Sequence, residues 1–258
     1  MAATFEQELE VARRVSLRAG EIALEYSARG VVADQKADDS PVTAADHACE
    51  AFIVSALREA FPGDGFLGEE GSRAESKSGR RWIIDPIDGT RDFLRGIPVW
   101  SNLLALEVDG EVVLGICNLA AQGELYWAVR GQGAWRGKER LRASAVDRRD
   151  RAVVCVCTIN GLIRHPLASR TLEYLSTVWA VRSISGCYEA MLVASGRAEA
   201  WIELQASTWD LAPLQVIAEE SGARFFNFDG GRSPHAGNCV ICAPAFEAEL
   251  RELVRPVP

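Results

Sequence analysis

The 258-residue sequence predicts a layered α/β protein. Helical and strand-like patterns both occur along its whole length, but they do not follow the strict alternation of a parallel βαβ fold. No internal repeat, low-complexity run or clear linker interrupts these patterns. Hydrophobic residues make up 48% of the chain and charged residues 25%, which is the composition of a globular protein with a sizeable core.

Two helices are predicted near the start of the chain. Residues 5–26 place apolar side chains at helical spacing, and the pattern ends near Gly30. Residues 43–61 predict a second helix, because Thr43 suits an N-cap and Asp46 stands three positions on, as in a capping box. The sequence Pro-Gly-Asp-Gly at 62–65 then predicts a turn.

Strands dominate the next part of the chain. Residues 81–85 predict a buried strand, residues 101–120 a hairpin that turns at Asp109-Gly110, and residues 124–137 a continuation of the meander. Beyond a polar stretch at 142–151, strands and helices mix. The predicted strands are 151–158, 198–203 and 238–243, and the predicted helices are 167–177, 185–195, 210–221 and 245–254. We expect a single domain, residues 1–258, of two intimate lobes at about 1–145 and 146–258.

Charge and composition exclude several classes of function. Lys and Arg number 28 against 36 Asp and Glu, a formal charge of -8, so the basic surface that nucleic acid requires is not expected. No apolar run approaches the roughly 20 residues of a membrane span. The first residues are acidic and amphipathic, so we expect no signal peptide. An odd number of cysteines, seven, favours free thiols and a cytoplasmic protein.

The segment WIIDPIDGTRDFLRG, residues 82–96, carries the clearest chemical signal. Asp85 and Asp88 follow an apolar strand, and Pro86 stiffens the chain between them. Gly89 permits close backbone approach, and Thr90 can begin a short helix whose free N–H groups bind phosphate. Hard oxygen ligands beside an anion cradle suit Mg²⁺ that bridges a phosphoryl group.

Three further acidic features stand at the ends of predicted elements. They are Glu69 and Glu70 after an apolar stretch, Asp210 at the start of a helix, and Asp46. Each has a structural alternative, namely a solvated turn, a simple N-cap and one half of a capping box, respectively. Together with the aspartates at 85 and 88, four acidic element ends favour one shared site.

Four motifs resemble those of the inositol monophosphatase family. They are K-x-D-x-S-P-V-T-x-A-D at 36–46, G-E-E at 68–70, D-P-I-D-G-T at 85–90 and W-D-L-A at 209–212. The resemblance runs in order from about residue 36 to residue 249. It implies a layered α-β-α-β-α sandwich of the inositol monophosphatase and sugar phosphatase type. It also implies a Mg²⁺-dependent, Li⁺-inhibited phosphatase of small phosphate esters that forms a homodimer.

The same resemblance assigns metal ligands to individual residues. It implies a first Mg²⁺ on Glu69, Asp85 and the backbone carbonyl of Ile87. A second ion would be held by Asp85, Asp88 and Asp210. A third, weaker ion would rest on Glu69 and water. Two such ions can polarise both an attacking water and a leaving oxygen.

The resemblance assigns catalytic and phosphate-binding roles as well. It implies that Thr90, hydrogen-bonded to Asp46, orients and deprotonates the attacking water, with Glu70 in support. The backbone N–H groups of Gly89 and Thr90 would bind the phosphate. Other phosphatase chemistries lack their motifs here: the aspartates at 85 and 88 are three positions apart rather than two, no cysteine has Arg six positions on, and G-x-S-x-G is absent.

The identity of the ester depends on fewer residues. Glu203, seven residues before Asp210, matches the family position that contacts the polar part of the substrate, although a solvated glutamate at a strand end is the alternative. The segments 96–107, with Trp100, and 186–203, with Tyr188, resemble the histidinol-phosphate phosphatase branch. Asp92 and Glu203 would favour a cationic ester such as L-histidinol phosphate.

Two other functions remain open. One is a myo-inositol-1-phosphate phosphatase or a member of broad specificity. The other is a non-catalytic, metal-binding relative, which the presence of Asp46, Glu69 and Thr90 argues against.

Overall fold

The computed structural model describes residues 5–30, 33–35 and 41–256. Residues 36–40 of the first family motif therefore lie outside the described residues. Helices cover Glu6–Arg29 (α1), Ala44–Ala60 (α2), Thr90–Leu94 (α3), Ile159–Arg164 (α4), Ala168–Leu175 (α5), Gly186–Ala194 (α6), Thr208–Glu220 (α7) and Glu247–Val254 (α8).

Strands form three sheets in the described part of the chain. They are Ala33–Gln35 (β1), Pro41–Thr43 (β2), Gly65–Gly68 (β3), Arg73–Ala74 (β4), Arg80–Asp88 (β5), Ser101–Val108 (β6), Glu111–Leu119 (β7), Glu124–Val129 (β8), Gly133–Arg136 (β9), Glu139–Arg140 (β10), Val153–Val156 (β11), Ala180–Arg182 (β12), Ala200–Glu203 (β13), Arg224–Phe226 (β14) and Cys239–Cys242 (β15). β1 pairs only with β2, the larger sheet has the order β10-β9-β8-β7-β6-β5-β3-β4, and the smaller one β12-β11-β13-β15-β14.

The helices and sheets stack in five layers. α1 and α2 bury their apolar faces against one side of the larger sheet. α6 and α7 lie between the two sheets in the central core. α4, α5 and α8 cover the outer face of the smaller sheet. The predicted α-β-α-β-α sandwich is therefore confirmed, while the division into lobes near residue 145 stays a prediction.

Most predicted elements are present. The hairpin turns at Asp109 and Gly110, whose φ angles of 50° and 83° give the left-handed pair that a tight two-residue turn requires. Thr43 and Asp46 form the predicted capping box. The elements that were not predicted include the helix α4 and the strands β3, β12 and β14, because each is short and Asn160-Gly161 in α4 is typical of a turn.

Helix α7 lies close against the middle of the larger sheet. A Cβ atom on Gly115 of β7 would stand 2.5 Å from the Pro213 carbonyl oxygen and 2.5 Å from Val216 Cγ1. Both distances are far shorter than a van der Waals contact, so the absent side chain of Gly115 allows this approach. The contact sets how closely α7, with Asp210 in its first turn, approaches the sheet.

All seven cysteines are free thiols, as predicted. Cys155, Cys239 and Cys242 are buried in strands, where they pack as small apolar side chains. In the part of the chain that the structure describes, no helix combines the length and the hydropathy needed to cross a membrane.

Candidate active site

The two aspartates of the D-P-I-D-G-T motif lie on either side of a bulge in β5. Sequence analysis predicts that the strand ends at Asp85, but the structure extends it to Asp88. Asp85 pairs with Leu103 and Asp88 pairs with Ser101. The two aspartates are three residues apart on β5, whereas their partners are only two residues apart on β6, so β5 contains one extra residue. Residues three apart on a regular strand point to opposite faces, and one extra residue returns the second to the face of the first. The bulge also accommodates Pro86, which has no N–H to donate.

Asp210 completes a cluster of three carboxyl groups. One carboxylate oxygen each from Asp85, Asp88 and Asp210 lies within 4.8 Å of the other two. Asp210 occupies the third position of α7, where its Oδ2 accepts the N–H of Ser207 at 2.6 Å. Asp210 therefore serves as a cap of α7 and is also a member of the cluster.

Burial and mutual repulsion raise the pKa of every member of this cluster. Asp85 is 2% exposed, and burial first, then Glu69, Asp88 and Asp210, raise its pKa well above the ordinary value. Burial and then Asp88 raise the pKa of Asp210 to about 8. Burial also raises the pKa of Asp88. Such a set is unfavourable when fully ionised unless a cation joins it.

The donor set fits a hard divalent cation. Asp85 Oδ1 is buried and has no hydrogen-bond partner among the described residues. The other donors are carboxylate oxygens, which are the ligands that Mg²⁺ prefers. Glu69 lies close enough to raise the pKa of all three aspartates. The backbone carbonyl of Ile87, between Asp85 and Asp88 in the chain, is a further oxygen donor. It accepts a hydrogen bond from the Thr90 hydroxyl at 3.1 Å.

The hydrogen bond expected between Thr90 and Asp46 is not formed. Thr90 Oγ1 donates to Ile87 instead, as the first residue of α3. Asp46 Oδ2 accepts both the N–H and the hydroxyl of Thr43, at 2.8 and 2.5 Å. Asp46 Oδ1 is buried without a hydrogen-bond partner in the described part of the chain. The capping box therefore occupies one oxygen of Asp46 and leaves the other available.

Glu50 holds the loop that carries Glu69 and Glu70, and sequence analysis did not identify it. Its carboxylate is 3% exposed and accepts the N–H of Glu70 at 2.8 Å and the N–H of Ser72 at 2.9 Å. A Cβ on Gly68 would stand 2.5 Å from Glu50 Oε2, so a larger residue there would displace the Glu50 carboxylate. The available signal was spacing, because Glu50 follows Asp46 by one helical turn on the buried face of α2.

If the loop carries the metal ligand Glu69 that the motifs imply, Glu50→Gln should lower the implied phosphatase activity about 10- to 100-fold, the usual effect of losing a group that orients metal ligands. An amide has one acceptor oxygen, so either Glu70 or Ser72 would face an NH₂ group. The matched control is Glu59→Gln, on the exposed side of the same helix. Full activity of Glu50→Gln at limiting Mg²⁺ would contradict this role.

The turn before α6 packs against the D-P-I-D-G-T motif from the other side. The N–H of Cys187 donates to Asp88 Oδ2 at 3.3 Å. A Cβ on Gly89, which has a φ of 84°, would stand 3.1 Å from the Ser185 hydroxyl. Ser185 also lies close enough to Asp92 to lower the pKa of its carboxyl group. Neither Ser185 nor Cys187 was identified from sequence, since neither belongs to an acidic motif.

Glu203 lies on a cavity of about 130 Å³ beside the acidic cluster. Asp88, Cys187, Trp201 and Asp210 also line it. Burial raises the pKa of Glu203 to about 7, and Asp88 adds to the shift. Glu203 is 5% exposed, so the alternative of a solvated strand end is wrong.

Asp92 lies in α3 and is only half-buried, with its pKa raised by burial and lowered by Ser185 and Arg91. A Cβ on Gly186 would stand 3.7 Å from Glu203 Oε2. Ser185 and Gly186 thus lie between Asp92 and Glu203. The structure places these two predicted substrate residues on either side of one turn.

Comparison with known proteins identifies the family of this chain. The family model described as "Inositol monophosphatase family" matches residues 5–257. The chain belongs to the inositol monophosphatase family. It is 39% identical to a histidinol-phosphatase of Chlorobaculum parvum, over 92% of each chain. It is 35% identical to an inositol-1-monophosphatase of Rhizobium meliloti, over 84% of each chain.

Solved structures of the same family share the fold. The structure of the extragenic suppressor protein SuhB of Bartonella henselae superimposes with a TM-score of 0.89 at 26% identity, over 98% of this chain and 100% of the other. Membership confirms the resemblance seen in the sequence and the expectation of a phosphoric monoester hydrolase. Dependence on metal ions is general in the family, and the acidic cluster is consistent with it.

Proposed function

We propose that this protein is a Mg²⁺-dependent phosphatase that hydrolyses L-histidinol phosphate to L-histidinol in histidine biosynthesis. One observation carries the proposal: a single cavity is lined by Asp88 and Asp210 and also by the buried carboxyl group of Glu203. A phosphate ester with a cationic leaving group presents matching charges, because its phosphoryl group requires metal ions and its ammonium requires a carboxylate. The similarity to a named histidinol-phosphatase supports this choice.

In the proposed site, two or three Mg²⁺ ions would be held by Glu69, Asp85, Asp88, Asp210 and the Ile87 carbonyl. When bound, they supply Lewis-acid polarisation and charge neutralisation of the phosphoryl group. Li⁺ would act as an inhibitor at the same ligands. These assignments carry over from the family motifs, and the clustering of the three aspartates supports them.

The protein's own groups then orient the reactants. The backbone N–H groups of Gly89 and Thr90 would bind phosphate oxygens at the start of α3. The Thr90 hydroxyl would turn from Ile87 to the free Oδ1 of Asp46, which would accept its proton as Thr90 takes one from water. Glu70, held by Glu50, would support that water.

The proposed charge selection has a direct test in Asp92 and Glu203. We expect Glu203→Gln to raise the KM for L-histidinol phosphate about 10-fold or more, because a buried carboxylate no longer meets the ammonium. We expect a smaller rise for Asp92→Asn, since Asp92 is only half-buried. The KM for myo-inositol 1-phosphate, whose leaving group carries no charge, should not rise in either variant. Unchanged discrimination between the two esters would contradict the charge argument.

The first experiment compares phosphate release from L-histidinol phosphate and from myo-inositol 1-phosphate at saturating Mg²⁺. A preference of about 100-fold for the first ester, ~2.7 kcal/mol in transition-state free energy, is the expected result. Equal rates, or faster release from the inositol ester, would favour an inositol-type phosphatase. That is the second candidate, supported by the similarity to an inositol-1-monophosphatase. No release from either ester at any Mg²⁺ concentration would favour a non-catalytic relative.

We also propose a homodimer, formed at the edge strand β12 of the smaller sheet. Trp179 is 70% exposed just before this strand, and Val181 and Ile184 are exposed within and after it. An open strand edge with large apolar side chains favours association with a second copy. Cytoplasmic location is a further proposal, and the seven free thiols fit a reducing compartment.

We expect Trp179→Asp to shift the molecular mass in solution from dimer to monomer, as measured by light scattering after size exclusion. A charge in a buried apolar interface is costly without a partner. Leu17→Asp, equally drastic but on the exposed side of α1, should leave the dimer intact. A dimer that survives Trp179→Asp, or a wild-type monomer, would contradict this interface.

A further inference from the structure

A second and larger cavity, of about 350 Å³, opens beside the acidic cluster. Thr158, Gly161 and His165 line it together with Glu203, Gln205 and Asp210. Glu203, Gln205, Ala206 and Asp210 line both cavities, so the two cavities adjoin at these residues. Its volume matches the lower range of small-molecule sites.

His165 is held in one orientation by its neighbours. The N–H of Leu167 donates to His165 Nδ1 at 3.2 Å, and the ring stands edge-on to Phe228 with centroids 6.2 Å apart. Since Nδ1 accepts a hydrogen bond, the neutral ring carries its proton on Nε2. A fixed imidazole that lines the cavity therefore offers one hydrogen-bond donor to a ligand.

Thr158 also lines this cavity, in a conformation that threonine rarely adopts. Its φ is 62° and its ψ is 73°, in the left-handed region where a β-branched side chain is strained. Its hydroxyl lies 3.4 Å from Cys157 Sγ, and Cys157 lines the neighbouring cavity. Strain of this kind is typical of residues whose side chains serve a site.

We propose that this cavity is the leaving-group subsite, in which His165 and Thr158 recognise a hydrogen-bond-accepting heterocycle. The inference rests on the proposed function and deepens it, because Glu203 lies in both cavities and can hold the ammonium between them. The substrate class is then a phosphate monoester whose leaving group carries both an ammonium and a nitrogen heterocycle. An ester that carries an ammonium but no heterocycle would make no hydrogen bond to His165.

The test uses His165→Phe, which keeps the ring and its edge-on packing against Phe228 but removes both nitrogens. The substrates are L-histidinol phosphate and O-phosphoethanolamine, which has the ammonium but no heterocycle. We expect kcat/KM for L-histidinol phosphate to fall about 10-fold, mainly through KM, as one buried hydrogen bond is lost. For O-phosphoethanolamine, kcat/KM should change less than about twofold, by the same reasoning. His165→Asn, which restores an acceptor for Leu167 and a donor for the ligand, should recover part of the loss.

An equal fall for both esters would overturn the subsite, because it would indicate a purely structural role for His165. A second variant, Thr158→Gly, removes the strained side chain and should raise the KM for L-histidinol phosphate without lowering Tm. If the wild-type protein hydrolyses neither ester, that result contradicts the proposed function but does not yet test the subsite. Calorimetric binding of L-histidinol phosphate then decides the subsite: weaker binding by His165→Phe supports it, and equal or absent binding overturns it.

Discussion

Asp85→Asn is expected to lower phosphate release by about 10³-fold or more, the effect of disabling a group that stabilises charge in a water-excluded site. Asp85 is the most buried member of the three-aspartate cluster, and its Oδ1 has no hydrogen-bond partner in the described chain. An amide of the same shape retains the packing but lacks the charge that a divalent cation requires.

The same substitution should lower activity but raise the stability of the metal-free protein. With Mg²⁺ removed by EDTA, Asp85→Asn should have a higher Tm than the wild-type protein, because like-charge repulsion with Asp88 and Asp210 is relieved. Added Mg²⁺ should raise the Tm of the wild-type protein but not of the variant. The matched control is Asp147→Asn, an exposed aspartate outside the cluster. A variant that keeps its activity or its response to Mg²⁺ would place the metal site elsewhere.

Glu189→Gln is expected to make the protein more stable at pH 8 by up to about 3 kcal/mol. Glu189 is fully buried in α6, and burial raises its pKa from 4.5 to about 7. The folded protein thus holds this proton more tightly than the unfolded chain. The resulting stabilisation is complete below pH 4.5 and is lost as the pH rises to about 7. Glutamine cannot ionise and does not suffer this loss.

Urea unfolding at pH 5.5 and at pH 8 measures the effect. The gain of Glu189→Gln over the wild-type protein should be small at the lower pH and largest at the higher one. Glutamine retains an acceptor for the Ile184 N–H, which Glu189 Oε1 accepts at 2.8 Å. Glu173→Gln, exposed on α5, is the control and should show no such pH dependence. A gain that is equal at both pH values would indicate packing rather than ionisation.

Local patterns predicted most of the fold. The helices with clear apolar spacing and caps, such as α2 with Thr43, and the Asp109-Gly110 hairpin are present because local chemistry and tertiary packing agree there. The elements missed include α4 and the strands β3, β4, β10, β12 and β14, each of six residues or fewer. Neighbouring strands and helices stabilise such short segments, and no single stretch of sequence contains that information.

The candidate site was predicted in composition but not in its internal geometry. The spacing of Asp85 and Asp88 was visible in the sequence, whereas the bulge that brings them to one face depends on how β5 pairs with β6. The hydrogen bond expected between Thr90 and Asp46 is replaced by one from Thr90 to Ile87. The role of Glu50 depends on its position on the buried face of a helix and on the contact of that face with a loop 20 residues further along the chain. The sequence shows the first of these but not the second.

Gly115 makes the proposed metal site dependent on a residue with no functional group. A methyl group at this position would meet the backbone of Pro213 at 2.5 Å, and backbone cannot move aside as a flexible side chain can. Relief would require α7 to move outward as a rigid rod, and Asp210 would move with it. In a library that places every amino acid at position 115, only glycine should give an active protein. The position should therefore be as intolerant of substitution as that of a metal-ligating residue. A protein engineer who ranks positions by distance from the chemistry would overlook it.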